Sequence, residues 1–249
     1  MNFRQWTEAA AEYNPYAFHA IILAGGPGSG KSRVGRTIAG AFGFNISDSD
    51  RLLELMAAHR KEEYLLGLTS GQPGYDQKMS NTNKAVELNV KRTALWRQQG
   101  IPYIVDITGR DVGLVSKIKE ELEQEGYDVF MVFINTPLET ARKRNKGRSR
   151  IVDDDFLVDA WNKSRKSISA YINIFGKKFL MIDNDDDINN RASLPAVEAR
   201  IPRMMTHLLT PNQIENPIGE KKLQDMKGKP INQISTDKPL PQVANVGLY

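Results

Sequence analysis

The stretch Gly25–Ser32 reads GGPGSGKS, and the fold follows from how it is read. Gly25, four residues, then Gly30-Lys31-Ser32 is the G-x-x-x-x-G-K-[ST] spacing of a phosphate-binding loop. Gly25, Gly28 and Gly30 let the backbone turn without Cβ clashes, so successive N–H groups can face one concavity. That nest and the positive end of a following helix favour phosphate oxygens. Lys31 adds a point charge for the outer phosphates, and Ser32 offers a hydroxyl to Mg²⁺. Gly26, Gly28, Ser29, Gly30, Lys31 and Ser32 are therefore the residues expected to hold a nucleoside triphosphate.

The motif needs a strand before it and a helix after it. Residues 18–24, FHAIILA, form a short apolar run suited to a buried parallel strand. In residues 32–42, SRVGRTIAGAF, Val34, Ile38, Ala41 and Phe42 share one helical face. Downstream, strands are expected at 44–47, 101–107, 127–134 and 177–182. Helices are expected from about Asp50, over 81–99, 112–124, 138–146, 154–175 and 195–209, with a loop over 69–80. Leu52, Leu53, Leu55 and Met56 form the expected apolar side of the first of these, and Ala85, Leu88, Ala94, Leu95 and Trp96 that of the second. Strands alternating with helices predict an α/β three-layer sandwich of the P-loop NTPase type, with five mostly parallel strands and helices on both faces.

The expected organisation is a helical extension over 1–17, one domain over 18–209 with a basic lid near 142–150, and an extended or disordered tail over 210–249. The tail holds five prolines and no helical period, and is a candidate to dock a protein partner. Cysteine is absent, which removes disulfides and thiolate metal sites. No apolar run approaches the ~18 residues a membrane span needs. The amino-terminal residues do not read as a signal peptide, so a cytoplasmic protein is expected. A net charge of +4 permits a polyanionic partner.

Kinases and switch ATPases both use this loop and differ in what surrounds it. Asp48 and Asp50 follow the second strand at the sheet's carboxyl edge, where ligands of open α/β sheets bind. Either is a candidate general base for an acceptor hydroxyl, and Asp50 is also a candidate helix cap. Asp106 ends the third strand and is a candidate to hold Mg²⁺ through water or to touch the acceptor, with Thr108 and Arg110 beside it. Arg142, Lys143, Arg144, Lys146, Arg148 and Arg150 crowd six like charges into nine residues. They read either as a lid meeting phosphoryl charge or as a solvated or nucleic-acid-binding basic face. His19, His59 and His207 lack metal-ligand spacing and read as structural, and Trp96 and Trp161 as packing.

The loop, the D-S-D at 48–50 and the sequence TPLETARKRNKGR at 136–148 together resemble the P-loop kinases that include phage polynucleotide 5′-kinases and zeta-toxin-like kinases. Smaller phage relatives are predicted to act on hydroxymethylated DNA bases. The resemblance covers roughly residues 18–183. It implies ATP and Mg²⁺, a hydroxyl acceptor on a nucleic acid or nucleotide, and, for a viral protein, the host cytoplasm. It makes Lys31, Asp50, Arg144 and Arg148 catalytic. Ser32 and Asp106 become metal-side residues, and Asp48, Asp106, Thr108 and Arg110 acceptor-side residues. An ungapped match to the polynucleotide kinases puts Ser49 at the base position, so Asp48 and Asp50 both remain candidates. Where relatives often carry proline after the lid, this chain reads IVDDD at 151–155, and no D-x-D-x-T phosphatase motif follows. A nucleotide-sugar kinase, a nucleotide-binding switch or assembly ATPase, and a retired kinase fold used as a scaffold are the alternatives.

Overall fold

The computed structural model describes residues 14–68, 70–147, 152–184 and 193–226. These fall into two compact units, one of residues 14–46 and 99–226, the other of residues 47–98. Of the expected helical extension over 1–17, residues 1–13 fall outside the described residues, and residues 15–17 belong to a turn rather than a helix. Arg148, Arg150 and the segment 227–249 lie wholly outside them.

The first unit is built on a sheet. Its strands are β1 (His19–Ala24), β2 (Asn45–Ser47), β3 (Tyr103–Asp106), β4 (Asp128–Asn135) and β5 (Phe179–Asp183), in the order β2-β3-β1-β4-β5. β1 runs parallel to β3 and β4, and β4 parallel to β5. All six residues of β1 are buried, as a central parallel strand covered on both faces requires. Phe18, expected in this strand, instead has φ +57 and turns the chain into it, its N–H bonded to the Gly100 carbonyl.

One face of the sheet presents Ile21 and Leu23 with Phe130, Val132 and Ile134, paired in register. Against them pack Val34, Ile38 and Phe42 of α1 (Lys31–Phe42). In α1 the buried stripe includes Gly35 rather than the expected, exposed Ala41. Alternation turns Ala20, Ile22, Val129, Met131 and Phe133 to the opposite face, and all are buried too.

The second unit holds α2 (Ser49–Arg60), a 3₁₀ turn at Glu63–Gly67 and α3 (Tyr75–Gln98). Six residues of the expected 69–80 loop are helical. Gly74, at φ +90, is the last breaker, and residues 75–80 contain neither Gly nor Pro. Leu55, Leu88 and Leu95, expected to be buried, are 51%, 41% and 40% exposed. The buried stripe of α3 is instead Asn81, Thr82, Ala85, Thr93 and Ala94. Asn81 is satisfied inside: its Oδ1 accepts from Arg60 and Gln77, and its Nδ2 donates to Glu62.

The first unit continues with α4 (Val112–Gln124), α5 (Leu138–Lys146), α6 (Asp154–Lys166) and α7 (Ile168–Phe175). The single helix expected over 154–175 is two, meeting at Ser167, whose N–H and hydroxyl both go to the Lys163 carbonyl, at 3.2 and 3.0 Å. After β5 come α8 (Ser193–Thr206) and α9 (Pro217–Met226). In α8, Ile201 and Met205 complete the core beside α1.

The helix α9 corrects the expected tail over its first residues. Asn216 caps it by accepting from the Ile218 N–H, Pro217 takes the first helical position, and Asn216 also donates to the Glu123 and Tyr127 carbonyls. Gly219 lies against Gly126 so closely that a Cβ on either would meet the other's backbone. Burial by backbone contact needs no apolar period, so pattern reading had nothing to find. No helix among the described residues is long and apolar enough to cross a membrane.

Candidate functional site

The loop sits between β1 and α1, at the carboxyl edge of the sheet. Gly25, Gly28 and Gly30 have φ of +152°, +77° and +91°. These are left-handed or mirror-β values that a side chain would strain. The space behind the loop is occupied as well: a Cβ on Gly28 would strike the Ala141 backbone of α5, and one on Gly30 the Asn184 amide. Gly26 packs on Trp161 of α6, whose Cα would be 3.4 Å from an added Cβ.

Lys31 opens α1 and folds over the loop, its ammonium donating to the Gly25 carbonyl at 2.6 Å and the Gly26 carbonyl at 3.3 Å. Ser32 is exposed on the same first turn. The peptide after the loop's apex is held from behind. The Ser29 carbonyl accepts from Asn184 Nδ2 at 2.6 Å, Thr136 Oγ1 at 3.1 Å and Arg144 Nη1 at 3.3 Å.

Asp106, at the end of β3, pairs in register with Leu23, two residues before Gly25. Thr108 meets the loop through its backbone, its carbonyl accepting from the Gly25 N–H at 3.4 Å. That segment is pinned by Tyr171, whose hydroxyl donates to the Gly109 carbonyl at 2.8 Å. Burial pushes the Tyr171 hydroxyl up to about 12, so it stays a donor. Arg110 stacks its guanidinium 5.5 Å from the Phe156 ring centre.

The basic run at 142–150 is less uniform in space than in sequence. Arg142 makes two bonds to Asp154, at 3.0 and 2.9 Å, and one to Glu139 at 3.0 Å, and these bonds raise its pKa. Arg144, one turn end from it, is half-buried against the loop. Asn145 brackets the chain where it leaves the lid, donating to the Val152 carbonyl and accepting from the Val152 N–H. Asp153 then caps α6, so the first acid of the DDD run is used locally.

Asp48 and Asp50 belong to the second unit. Asp48, not Asp50, is the N-cap of α2: its Oδ1 accepts from the Arg51 N–H at 2.9 Å. Asp50 lies exposed in the first turn, where the helix dipole favours a carboxylate. Within that unit, Asn89 donates to Ser47 Oγ, and Arg92 stacks over Trp96 at 4.7 Å, so Trp96 serves as a platform. Burial lowers the Arg92 pKa against an opposing pull from Asp48.

The structure thus brings together the loop residues, Lys31, Asp106, Thr108 and Arg144 within the first unit. Sequence reasoning missed Thr136, Asn184 and Trp161. In the sequence Thr136 stands out only as the first residue of the 136–148 stretch, and Asn184 carries no motif. Trp161, expected in packing, packs on the loop itself and donates to the Thr136 carbonyl at 2.7 Å. His19 is structural as expected: it is buried against Phe130, and burial lowers its pKa. Among the described residues no cluster of three or more His, Cys, Asp or Glu side chains could cage a metal. A Mg²⁺ riding on nucleotide phosphates needs only one or two protein oxygens, and the exposed Ser32 hydroxyl with Asp106 fits that pattern.

A family model described as an AAA domain (AAA_33) matches residues 21–170, more than half of the chain. No curated protein matches it. Among solved structures, a Chloroflexus aurantiacus protein regarded as a kinase superposes with a TM-score of 0.50 at 14% identity, over 76% of this chain and 98% of that one. A protein of the PezAT chromosomal toxin–antitoxin system of Streptococcus pneumoniae gives 0.50 at 18% identity, over 89% and 92%. Shikimate kinase from Bacteroides thetaiotaomicron gives 0.45 at 14%, over 75% and 98%.

Proposed function

The chain belongs to the AAA domain family, with a P-loop kinase-like fold, and on that premise we propose that it is an ATP- and Mg²⁺-dependent phosphotransferase acting on an alcohol group. The observation that carries this reading is the meeting, on one edge of one sheet, of the glycine loop, Asp106 one strand away and a half-buried arginine from a separate helix. A switch that binds nucleotide and hydrolyses it slowly can hold the triphosphate and its Mg²⁺ without an arginine over the γ-phosphoryl group. A basic side chain brought from elsewhere suits the charge that spreads over a phosphoryl group in transfer.

In this reading Lys31 and the backbone N–H groups of 26–32 hold the triphosphate. Ser32 and Asp106 serve the metal side. A bound Mg²⁺ supplies charge neutralisation on the phosphate oxygens. Asp50 takes the proton from the acceptor hydroxyl as its oxygen bonds to the γ-phosphorus and the bond to the ADP oxygen breaks. Asp48, spent on the cap, supports the turn that carries Asp50. Arg144 gives up its long bond to the Ser29 carbonyl to meet the developing charge together with Arg148, and Thr108 and Arg110 face the acceptor. The acceptor we favour is a hydroxyl of a nucleic acid or nucleotide, supported by the basic run at 142–150 and a pI near 9.1. A nucleotide sugar, the acceptor class of the zeta-toxin-like kinases that the sequence resembles, is the second reading.

The test uses γ-labelled ATP with 5′-hydroxyl oligonucleotides, DNA carrying 5-hydroxymethylpyrimidines, nucleosides and UDP-sugars. Label is expected to move to one of these acceptors. Lys31→Ala should slow transfer by on the order of 10²–10³-fold. Asp50→Asn should slow it by about 10²–10⁴-fold while ATP still binds. ATP binding with no label moved, and hydrolysis unchanged in Asp50→Asn, would replace the kinase reading with a switch.

A further inference from the structure

Three donors converge on one carbonyl oxygen behind the phosphate loop, and two of them come from side chains to which no role has been given. Asn184, the first residue after β5, is 7% exposed and donates to Ser29 O at 2.6 Å. Thr136, the first residue after β4, is 2% exposed and donates to the same oxygen at 3.1 Å, its one hydroxyl proton shared with the Asn184 carbonyl at 3.3 Å. Each is itself held. The Asn184 N–H continues the β4–β5 ladder by donating to the Asn135 carbonyl at 2.8 Å. The Thr136 carbonyl accepts from Trp161 Nε1. The third donor, Arg144, makes the longest bond, 3.3 Å.

A trans peptide is planar, and its C=O and N–H point to opposite sides. Fixing the Ser29 carbonyl against β4 and β5 therefore aims the Gly30 N–H away from them. We propose that Asn184 and Thr136 are positioning residues for the phosphate nest: they clamp the 29–30 peptide so that the Gly30 N–H is aimed at phosphate before ligand arrives. The clamp also accounts for glycine at position 30. A Cβ there would strike the Asn184 amide, so clamp and loop must match as a pair. Preorganised N–H groups act without reorganisation cost, so a loosened clamp weakens phosphate contacts selectively. The proposal rests on the nucleotide reading of the loop but not on phosphoryl transfer.

The experiment is competition for mant-ATP on the full chain by three ligands: ATP, inorganic tripolyphosphate and adenosine. Asn184→Ala removes the shortest bond. It should weaken ATP and tripolyphosphate alike, by about tenfold, with adenosine unchanged. Asn184→Asp sets an oxygen against the carbonyl and should weaken both by roughly a hundredfold. Thr136→Val keeps the volume and removes the donor, with an expected loss of about three- to tenfold, and Thr136→Ser should restore binding. The Thr136 pair decides the matter if the Asn184 variants do not fold. Equal losses for all three ligands, unchanged tripolyphosphate affinity, or no recovery in Thr136→Ser would each overturn the clamp. A wild-type chain that binds no mant-ATP overturns the nucleotide reading and the clamp together. A wild-type chain that binds ATP and moves no label fails only as a kinase.

Discussion

The two edges of the sheet in the first unit are held by different physics. At the carboxyl edge, a carbonyl is gripped mainly by neutral donors, and glycines with positive φ keep the backbone open toward solvent. At the amino edge, the chain is closed by charge. Lys178 bonds Asp128 at 2.7 Å and Glu215 at 3.2 Å, Lys177 bonds Glu215 at 2.8 Å, and the Glu215 N–H, just before α9, donates to Asp128 at the start of β4. Glycines recur there, but Gly126 and Gly219 serve close backbone packing rather than an open nest. Neutral bonds fix a direction without consuming the charge that a phosphate site needs. Ion pairs fasten the opposite edge.

The largest expected stability effect lies at the amino edge. Asp128 is nearly buried, its side chain 4% exposed, so Lys178→Met leaves a desolvated carboxylate with a backbone N–H and no cation. A loss of about 3–4 kcal/mol is expected in chemical denaturation. ATP affinity should not change, because no residue of this network touches the loop. A fall in ATP affinity beyond about threefold, or a cost under about 1 kcal/mol, would erase the proposed division between the edges.

Gly28→Ala strikes the opposite edge. It forces a side chain to φ +77 and drives a Cβ into the Ala141 backbone, which has no rotamer to yield. About 2–3 kcal/mol of stability should be lost. In contrast to Lys178→Met, ATP binding should fall with it. Equilibrium unfolding and mant-ATP titration of the two variants side by side test the comparison directly. Unchanged ATP binding in folded Gly28→Ala would mean that the loop tolerates a different path.

The same contrast explains what was legible in the sequence. The carboxyl edge was largely readable, because GGPGSGKS encodes its own backbone path and the apolar runs of β1 and β4 need no partner to be recognised. Asp106 could be set at a strand end for the same reason. Thr136 and Asn184 were not readable. Their role depends on two strands stopping at one level, and neither residue type announces a bond to a carbonyl more than a hundred residues away. Two aspartates flank Ser49, and only the extended backbone of Asp48, which the sequence does not display, makes it rather than Asp50 the cap. α9 was invisible to periodicity because its contact surface is a glycine, an asparagine cap and a lysine reaching the Glu125 carbonyl.

The smallest effect is a pH dependence confined to the amino edge. Bonds to Lys177 and Lys178 lower the Glu215 pKa below its ordinary 4.5. A carboxylate whose pKa is depressed on folding contributes stability above the unfolded value and loses it as pH falls through the folded one. Burial pulls the Lys178 pKa down, but its bonds to Asp128 and Glu215 outweigh this and leave it above 10.5. That contribution is complete below 10.5 and is lost as pH rises through the folded value. The network is thus whole between these limits and weakens outside them. The Glu215 side chain is 45% exposed, so screening keeps its share under about 1 kcal/mol. Hydrogen exchange of the α9 amides should accelerate, relative to β1, as pH drops below 4.5 in wild type. Glu215→Gln should show that faster exchange at neutral pH already and add little on acidification. Equal acid sensitivity of α9 in both proteins would assign the helix's docking to Asn216, Gly219 and Lys222 alone, with no contribution from the ion pairs.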